Sequence, residues 1–213
     1  LKANKPGSKI IVLDANLDIV VEKDNFSRAF TTLYAGIVDY RPGSKVTNID
    51  VGARAVTYED GVGALWTEHA GVINPIPPQR APKLLAEAGL LGTTPFAPVD
   101  VLSYASTNAG KSLIHIIGDA SFTTQPKAGH IGNQQGKTCA DAIVRLLAGK
   151  PLDRQVVTNS ACYTPITLTT ATWLSAVYQY DGAGKMVVPA WHVPAAGAPA
   201  GAIAATSATT ENY

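Results

Sequence analysis

The apolar residues of this chain come in short runs, and their spacing changes along its length. Ile10-Ile11-Val12-Leu13 ends on Asp14, the pattern of a buried parallel strand with its acid at the carboxyl end. Residues 25–34 place Phe26, Ala29, Phe30 and Leu33 at helical spacing, which predicts a helix with Asp24 or Asn25 as its cap. From Ile37 to His69 the pattern alternates between Gly and Pro breaks (IVDY, RPGSK, VTNIDV, GAR, AVTYED, GVG, ALWTEH) and predicts a small antiparallel meander. A further short strand is expected over 70–73, followed by a Pro-fixed crossover, Asn74-Pro75-Ile76-Pro77-Pro78-Gln79. Residues 81–88 predict a helix ended by Gly89, and a Pro-broken loop leads on to Val99-Asp100-Val101.

The most informative pattern is 113–149, LIHIIGDASFTTQPKAGHIGNQQGKTCADAIVRLLAG. An apolar strand, Leu113 to Ile117, runs into Gly118-Asp119-Ala120. A loop with Pro126, Lys127 and Gly129 then delivers a long helix over 130–148 whose first turn is almost uncharged. A strand, a Gly-Asp turn and a bare helix start together form the usual dinucleotide site of an α/β protein. The glycine lets backbone approach a ligand, the carboxylate accepts from sugar hydroxyls, and the helix amides face electron-rich atoms. Residues 150–180 turn β-like, and the final stretch, rich in Ala, Gly, Pro and Thr, has the composition of an extended tail.

Charge and composition narrow the classes. A net charge of +1 with 15% charged residues gives no electrostatic footprint for nucleic acid or an anionic membrane surface. The longest apolar runs are strand-sized, so no membrane span is expected. The histidines (His69, His115, His130, His192) are dispersed without metal-ligand spacing, and no metal site is expected. No Ser-His-Asp or paired-carboxylate signature is present. No G-x-G-x-x-G turn precedes Asp14, and the chain opens at Leu1, so the expectation is that an N-terminal part of a longer protein is missing.

The order VINPIPPQRAPKLLAEAGL, PVDV, IHIIGDAS, QPKAGHIGNQQGKTCADAIVRLLAGK, NSACYTPIT resembles the flavoprotein subunit of flavocytochrome c sulfide dehydrogenase, in one register from about Ser8 to Tyr180. The resemblance implies an α/β fold: the C-terminal portion of a two-dinucleotide-binding-domain (glutathione-reductase-like) flavoprotein with an added, mainly β, C-terminal domain. On that pattern residues 1–76 are the remainder of the second, NAD-like domain. Residues 77–150 are the second half of the FAD-binding domain, and 151–213 are the C-terminal domain and tail. The implied activity is FAD-dependent oxidation of sulfide in the periplasm, with electrons passed to a c-type cytochrome subunit. The first half of the FAD site would come from the missing N-terminal half of the flavoprotein.

Residue roles carry over by position. Gly118, Asp119 and Ala120 resemble the turn that contacts FAD, against the alternative of an ordinary strand-ending turn. Gly129, His130, Ile131 and Asn133 open the helix that resembles the one facing the flavin pyrimidine, where reduced flavin gains negative charge. The chain departs from the family pattern at Ala128 and His130, where the family has Ser and an aromatic, so only a backbone role carries over there. Lys127 either adds charge beside the flavin or is a solvated loop lysine. Cys162 resembles the second cysteine of the redox disulfide that sulfide attacks; the alternative is a buried unpaired cysteine. Cys139 shares a helical face with Ala142, Ile143, Leu146 and Leu147 and reads as a core thiol, although a Cys139–Cys162 bridge is sterically allowed. Pro77-Pro78-Gln79 resembles an interdomain crossover or is a plain rigid linker. His115 reads as a core or interface residue in a buried strand. Trp173, Tyr178 and Tyr180 read as sheet packing or as lining of an entrance. The competing functions are an NAD(P)H-dependent flavoprotein reductase, a sulfide:quinone reductase, and a non-catalytic interaction module. By itself, residues 1–213 is expected to be inactive.

Overall fold

In the computed structural model, residues 5–189 and 210–211 are described, apart from the side chains of Trp173, Thr210 and Glu211. The chain divides into two units: residues 1–77, 165–172 and 210–213, and residues 78–164 and 173–209.

In the first unit β1 (Ile10–Asp14) pairs in parallel with β2 (Val38–Pro42), Ile10 opposite Val38 and Asp14 opposite Pro42. The expected burial of this strand is not met: among the described residues β2 is its one strand neighbour, and Ile10 and Ile11 are 44% and 37% exposed. Between them lie α1 (Lys23–Arg28) and a π-helical turn, Ala29–Leu33, where Phe30 packs between Phe26 and Tyr40. The cap differs from the expected Asp24 or Asn25. Glu22, in a left-handed conformation at φ 51°, precedes the first turn. Asn25 is the third residue of α1, past the cap position, and its side-chain amide donates to the Glu22 carboxylate (3.2 Å) and the Thr172 hydroxyl (2.9 Å).

The meander forms as β3 (Lys45–Asp50), β4 (Ala55–Glu59) and β5 (Leu65–His69), antiparallel in that order. Its first predicted strand is not part of it, because residues 38–42 are committed to β1 as β2. The Arg41 guanidinium ties the pieces together, donating to Asp39 (2.8 Å), Glu68 (2.6 Å) and the Tyr58 hydroxyl (2.6 Å). Residues 70–73 are not a strand: pairing closes at the Ala70 amide, which donates to the Arg54 carbonyl.

In the second unit α2 (Lys83–Glu87) is shorter than expected. Extended Pro82 precedes it, and Gly89 at φ 66° follows its end. Two short strands, β6 (Ala97–Pro98) and β7 (Ser121–Phe122), pair in parallel. The expected strand over 113–117 does not form a ladder. A single bridge, His115 to Ala105, is its only pairing, and Leu113 is 92% exposed. An apolar run becomes a strand only where neighbours pair along its edges, and among the described residues this one bridge is all that forms. The long helix α3 (Gly129–Leu147) forms as predicted. It buries Ile131, Gln135, Cys139 and Ala142, one residue per turn, and Ile131 enters a core with Val101, Leu102, Val156, Ala176, Tyr178 and Met186. The β-like tail of the motif region is a hairpin, β8 (Val157–Pro165) with β9 (Thr170–Tyr180), and β10 (Met186–Val187) pairs with β9.

Candidate functional site

The Gly118 turn and the start of α3 are brought together within the second unit. Gly118 sits at φ 68°, a left-handed conformation that favours glycine, and its N–H donates to the Gln135 side-chain oxygen at 2.6 Å. The Ser121 hydroxyl closes the turn on the Gly118 carbonyl at 2.8 Å. The approach is close because α3 is bare on that side: a Cβ on Gly132 would lie 3.6 Å from Gly118 Cα, and one on Gly136 3.6 Å from the tip of Ile117. Residues 118–120 form one 3-10 turn, with the Asp119 side exposed and Ala120 packed against the small Leu90–Ala97–Ile116 core.

Ala128 enters α3 in extended backbone with no side-chain cap, and the first turn holds no acid. The first helical bond is from Gly132 to the Ala128 carbonyl (2.9 Å), so the amides of Gly129, His130 and Ile131 lie ahead of it. The side chain of Ile131 is buried in the core and only its backbone faces the turn, whereas Gly129, His130 and Asn133 are exposed. A Cβ on Gly118 or Gly129 would meet nothing within 4 Å, so open space adjoins the turn and the helix start. A shallow cleft runs between them, lined by Gly118, Asp119, Lys127, Ile131, Gly132 and Gln135 among others.

Lys127 is not a freely solvated loop lysine. Its ammonium donates to the carbonyls of Asp119 (2.6 Å) and Ser121 (2.9 Å) and stands 3.7 Å from the centre of the Phe96 ring. Burial lowers its pKa, against the opposing pull of Asp119. A fixed cation and a helix N-terminus therefore flank the same cleft, and both stabilise negative charge there. Gln135 was missed from the sequence, although it was legible. It falls in register with Ile131, Cys139 and Ala142 on the buried face, and a buried amide must find a partner.

Both cysteines are free thiols, so the Cys139–Cys162 bridge is not made. Cys139 is buried on α3 as expected, and burial raises its pKa. Cys162 is exposed on β8, which excludes the buried packing role for it; its sulfur lies 3.9 Å from the Ser160 hydroxyl. Thiolate is the reactive form, so iodoacetamide should add once to the reduced, folded chain, at Cys162, with Cys139 reacting only after unfolding. Intact mass and peptide mapping check this, and two adducts on the folded chain would contradict it.

The start of β8 is fastened to its surroundings by two glutamines. Gln125 donates to the Thr158 hydroxyl (2.5 Å) and accepts from buried Tyr104 (3.3 Å), and Gln134 bonds Asn159. His115 is half-buried outside any ladder, not in a buried strand, with its Nδ1 2.8 Å from the Ser103 carbonyl. Tyr178 is core, and Tyr180 lies beneath Arg154; the Trp173 side chain and His192 lie outside the described residues. Pro77 and Pro78 stand at the division between the two units.

In the first unit the Asp14 carboxylate is held by the Tyr40 hydroxyl (2.8 Å) and by the Asn16 amides (2.9 and 2.8 Å). Burial works against the charge, but these hydrogen bonds outweigh it and hold the carboxyl below its usual pKa. Among the described residues no group of His, Cys, Asp and Glu is arranged to hold a metal, and no helix is long and apolar enough to cross a membrane.

Comparison with known proteins bears out the family resemblance: residues 1–77 match the family model for the central region of the sulfide dehydrogenase (flavocytochrome c) flavoprotein chain. Solved structures share the α/β fold. A chain in the Tetrahymena thermophila mitochondrial ATP synthase F1Fo tetramer aligns with a TM-score of 0.63 and 19% identity, over 84% of this chain and 43% of that one. The sulfide:quinone oxidoreductase of Aquifex aeolicus aligns with a TM-score of 0.61 and 17% identity, over 79% of this chain and 42% of that one. This chain therefore spans less than half the length of either.

Proposed function

We propose that this chain is part of an FAD-dependent flavoprotein that oxidises sulfide through a redox disulfide and passes the electrons to a c-type cytochrome subunit in the periplasm. The observation that carries the reading is the open turn at Gly118 set against the uncapped start of α3, with Lys127 fixed beside it. The residues present fit one half of a flavin site. The Gly118 and Ala120 backbone would take the close approach of the cofactor, and the exposed Asp119 carboxylate would accept from its hydroxyls. The amides of Gly129, His130 and Ile131, near exposed Asn133, would donate to electron-rich atoms of the ring. FAD, when bound, supplies the two-electron acceptor. The half that carries the pyrophosphate turn belongs to another part of the protein, as does the cysteine that completes the disulfide with Cys162. In this reading residues 1–76 finish the second dinucleotide domain, 77–150 the FAD domain, and 151–213 bear the redox cysteine.

The family match over residues 1–77 supports sulfide as the reductant. Asp14, the residue best placed to grip the ribose of a pyridine nucleotide, is already engaged by Tyr40 and Asn16. Stopped-flow mixing of the full-length flavoprotein tests the choice. Sulfide should bleach the flavin bands rapidly and NADH should not, and the reverse order would overturn the proposal. Reoxidation by a c-type cytochrome, faster than by a quinone, is the expected second half.

A further inference from the structure

The side chain of Gln134 does more than decorate the second turn of α3. Its Nε2 donates to the Asn159 carbonyl at 2.6 Å and its Oε1 accepts from the Asn159 N–H at 2.9 Å. Longer contacts at 3.1 Å to the Asn159 side-chain oxygen and to the His130 carbonyl complete the donor set. A strand residue points its N–H and C=O to the same side, so the carboxamide docks on β8 as a neighbouring strand residue would. The regular partner of β8 is β9. Gln134 therefore fixes the strand to the helix rather than to the sheet.

We propose that Gln134 is a positioning residue for the Cys162 step, its carboxamide fixing β8 in register with the N-terminal turns of α3. The inference rests on the functional reading above and deepens it. Three observations carry it. The helix end that flanks the open turn begins five residues before Gln134, within the same rigid element. Cys162 follows Asn159 by three residues, which is ~10 Å of extended strand. Gln125 pins the adjacent Thr158 from the loop that enters α3, so two successive residues of β8 are held from the two sides of the helix start. A one-residue slip of β8 would move Cys162 to the other face of the hairpin. Even a shift of about 1 Å between reacting groups costs on the order of a hundredfold in rate.

The test uses the full-length flavoprotein with Gln134→Met, which keeps length and removes every hydrogen bond of the carboxamide. Sulfide-driven bleaching should slow by about tenfold or more, while flavin content, flavin midpoint potential and the rate of direct reduction by dithionite stay at wild-type values. Dithionite bypasses the cysteine, so a role in stability alone would not separate the two rates. Gln134→Glu, which keeps the acceptor but loses the donor to the Asn159 carbonyl, should also be slower with sulfide than with dithionite, relative to wild type. Sulfide bleaching at the wild-type rate in both variants would overturn the positioning role, as would parallel loss of flavin in both. A wild-type protein that sulfide does not bleach would overturn the functional reading itself, and this role with it.

Discussion

Replacing Cys162 with alanine in the full-length flavoprotein removes reduction of the flavin by sulfide and leaves the flavin in place. In the proposed reaction the cysteine is the covalent relay, and loss of such a group lowers the rate by about a thousandfold or more. The structure predicts that the rest of the protein will hardly notice. Cys162 is exposed on β8, and its sulfur makes a long contact with the Ser160 hydroxyl, whereas β8 is fastened through Thr158 and Asn159. With the proposed disulfide reduced, an exposed substitution of this kind changes stability by no more than about 0.5 kcal/mol, so the melts of the two proteins are compared under reducing conditions. Cys139→Ala is the instructive contrast. That thiol is buried on α3, so its loss acts on packing and should leave sulfide reduction at the wild-type rate. Stopped-flow absorbance distinguishes the two: a Cys162→Ala protein that sulfide still bleaches at the wild-type rate would end the redox assignment.

The helix α3 was legible because its signals agree: a long 3.6-residue periodicity, a loop with Pro126 before it and Gly149 at φ 65° after it. The meander was legible for the same reason, with glycines and Pro42 breaking alternating runs. The strand expected at 113–117 shows the limit of such reading. Leu113 to Ile117 has strand composition, but a ladder is made by neighbours, and the run itself cannot say whether they are present. The first helix shows a different limit. Asn25 is a good capping residue by type, yet the helix already begins at Lys23, and the Asn25 amide donates to Thr172, 147 positions away. Within the site, the Gly118 turn and the bare helix start were written in glycines and missing charges. The engagement of Lys127 was not, because a lysine after proline looks solvated until the carbonyls of Asp119 and Ser121 and the ring of Phe96 are seen to converge on it. Gln134 was equally silent: a half-buried helical glutamine has no pattern of its own, and its partner is a backbone group 25 positions on.

Gly118→Val should yield full-length protein that folds but carries little or no flavin. Two effects act, and their sizes differ. At φ 68° a side chain of L configuration is strained, by roughly 1–2 kcal/mol, and a β-branched one by more. That is tolerable for a folded domain, since the new Cβ would strike nothing in the protein within 4 Å. The same open space is what the cofactor takes in the proposed reading, so the isopropyl group obstructs the ligand rather than the chain. Gly118→Asn separates strain from bulk, because Asn enters the left-handed region at little cost yet still projects a side chain. It too should lose flavin while melting close to the wild type. Gly132→Ala is the opposite case: its Cβ would make an ordinary 3.6 Å contact with Gly118 Cα, and flavin should be retained. Flavin-to-protein absorbance ratios with thermal melting read out all three. Full flavin content in Gly118→Asn would mean that the turn does not face the cofactor, and that backbone strain alone explains the loss in Gly118→Val.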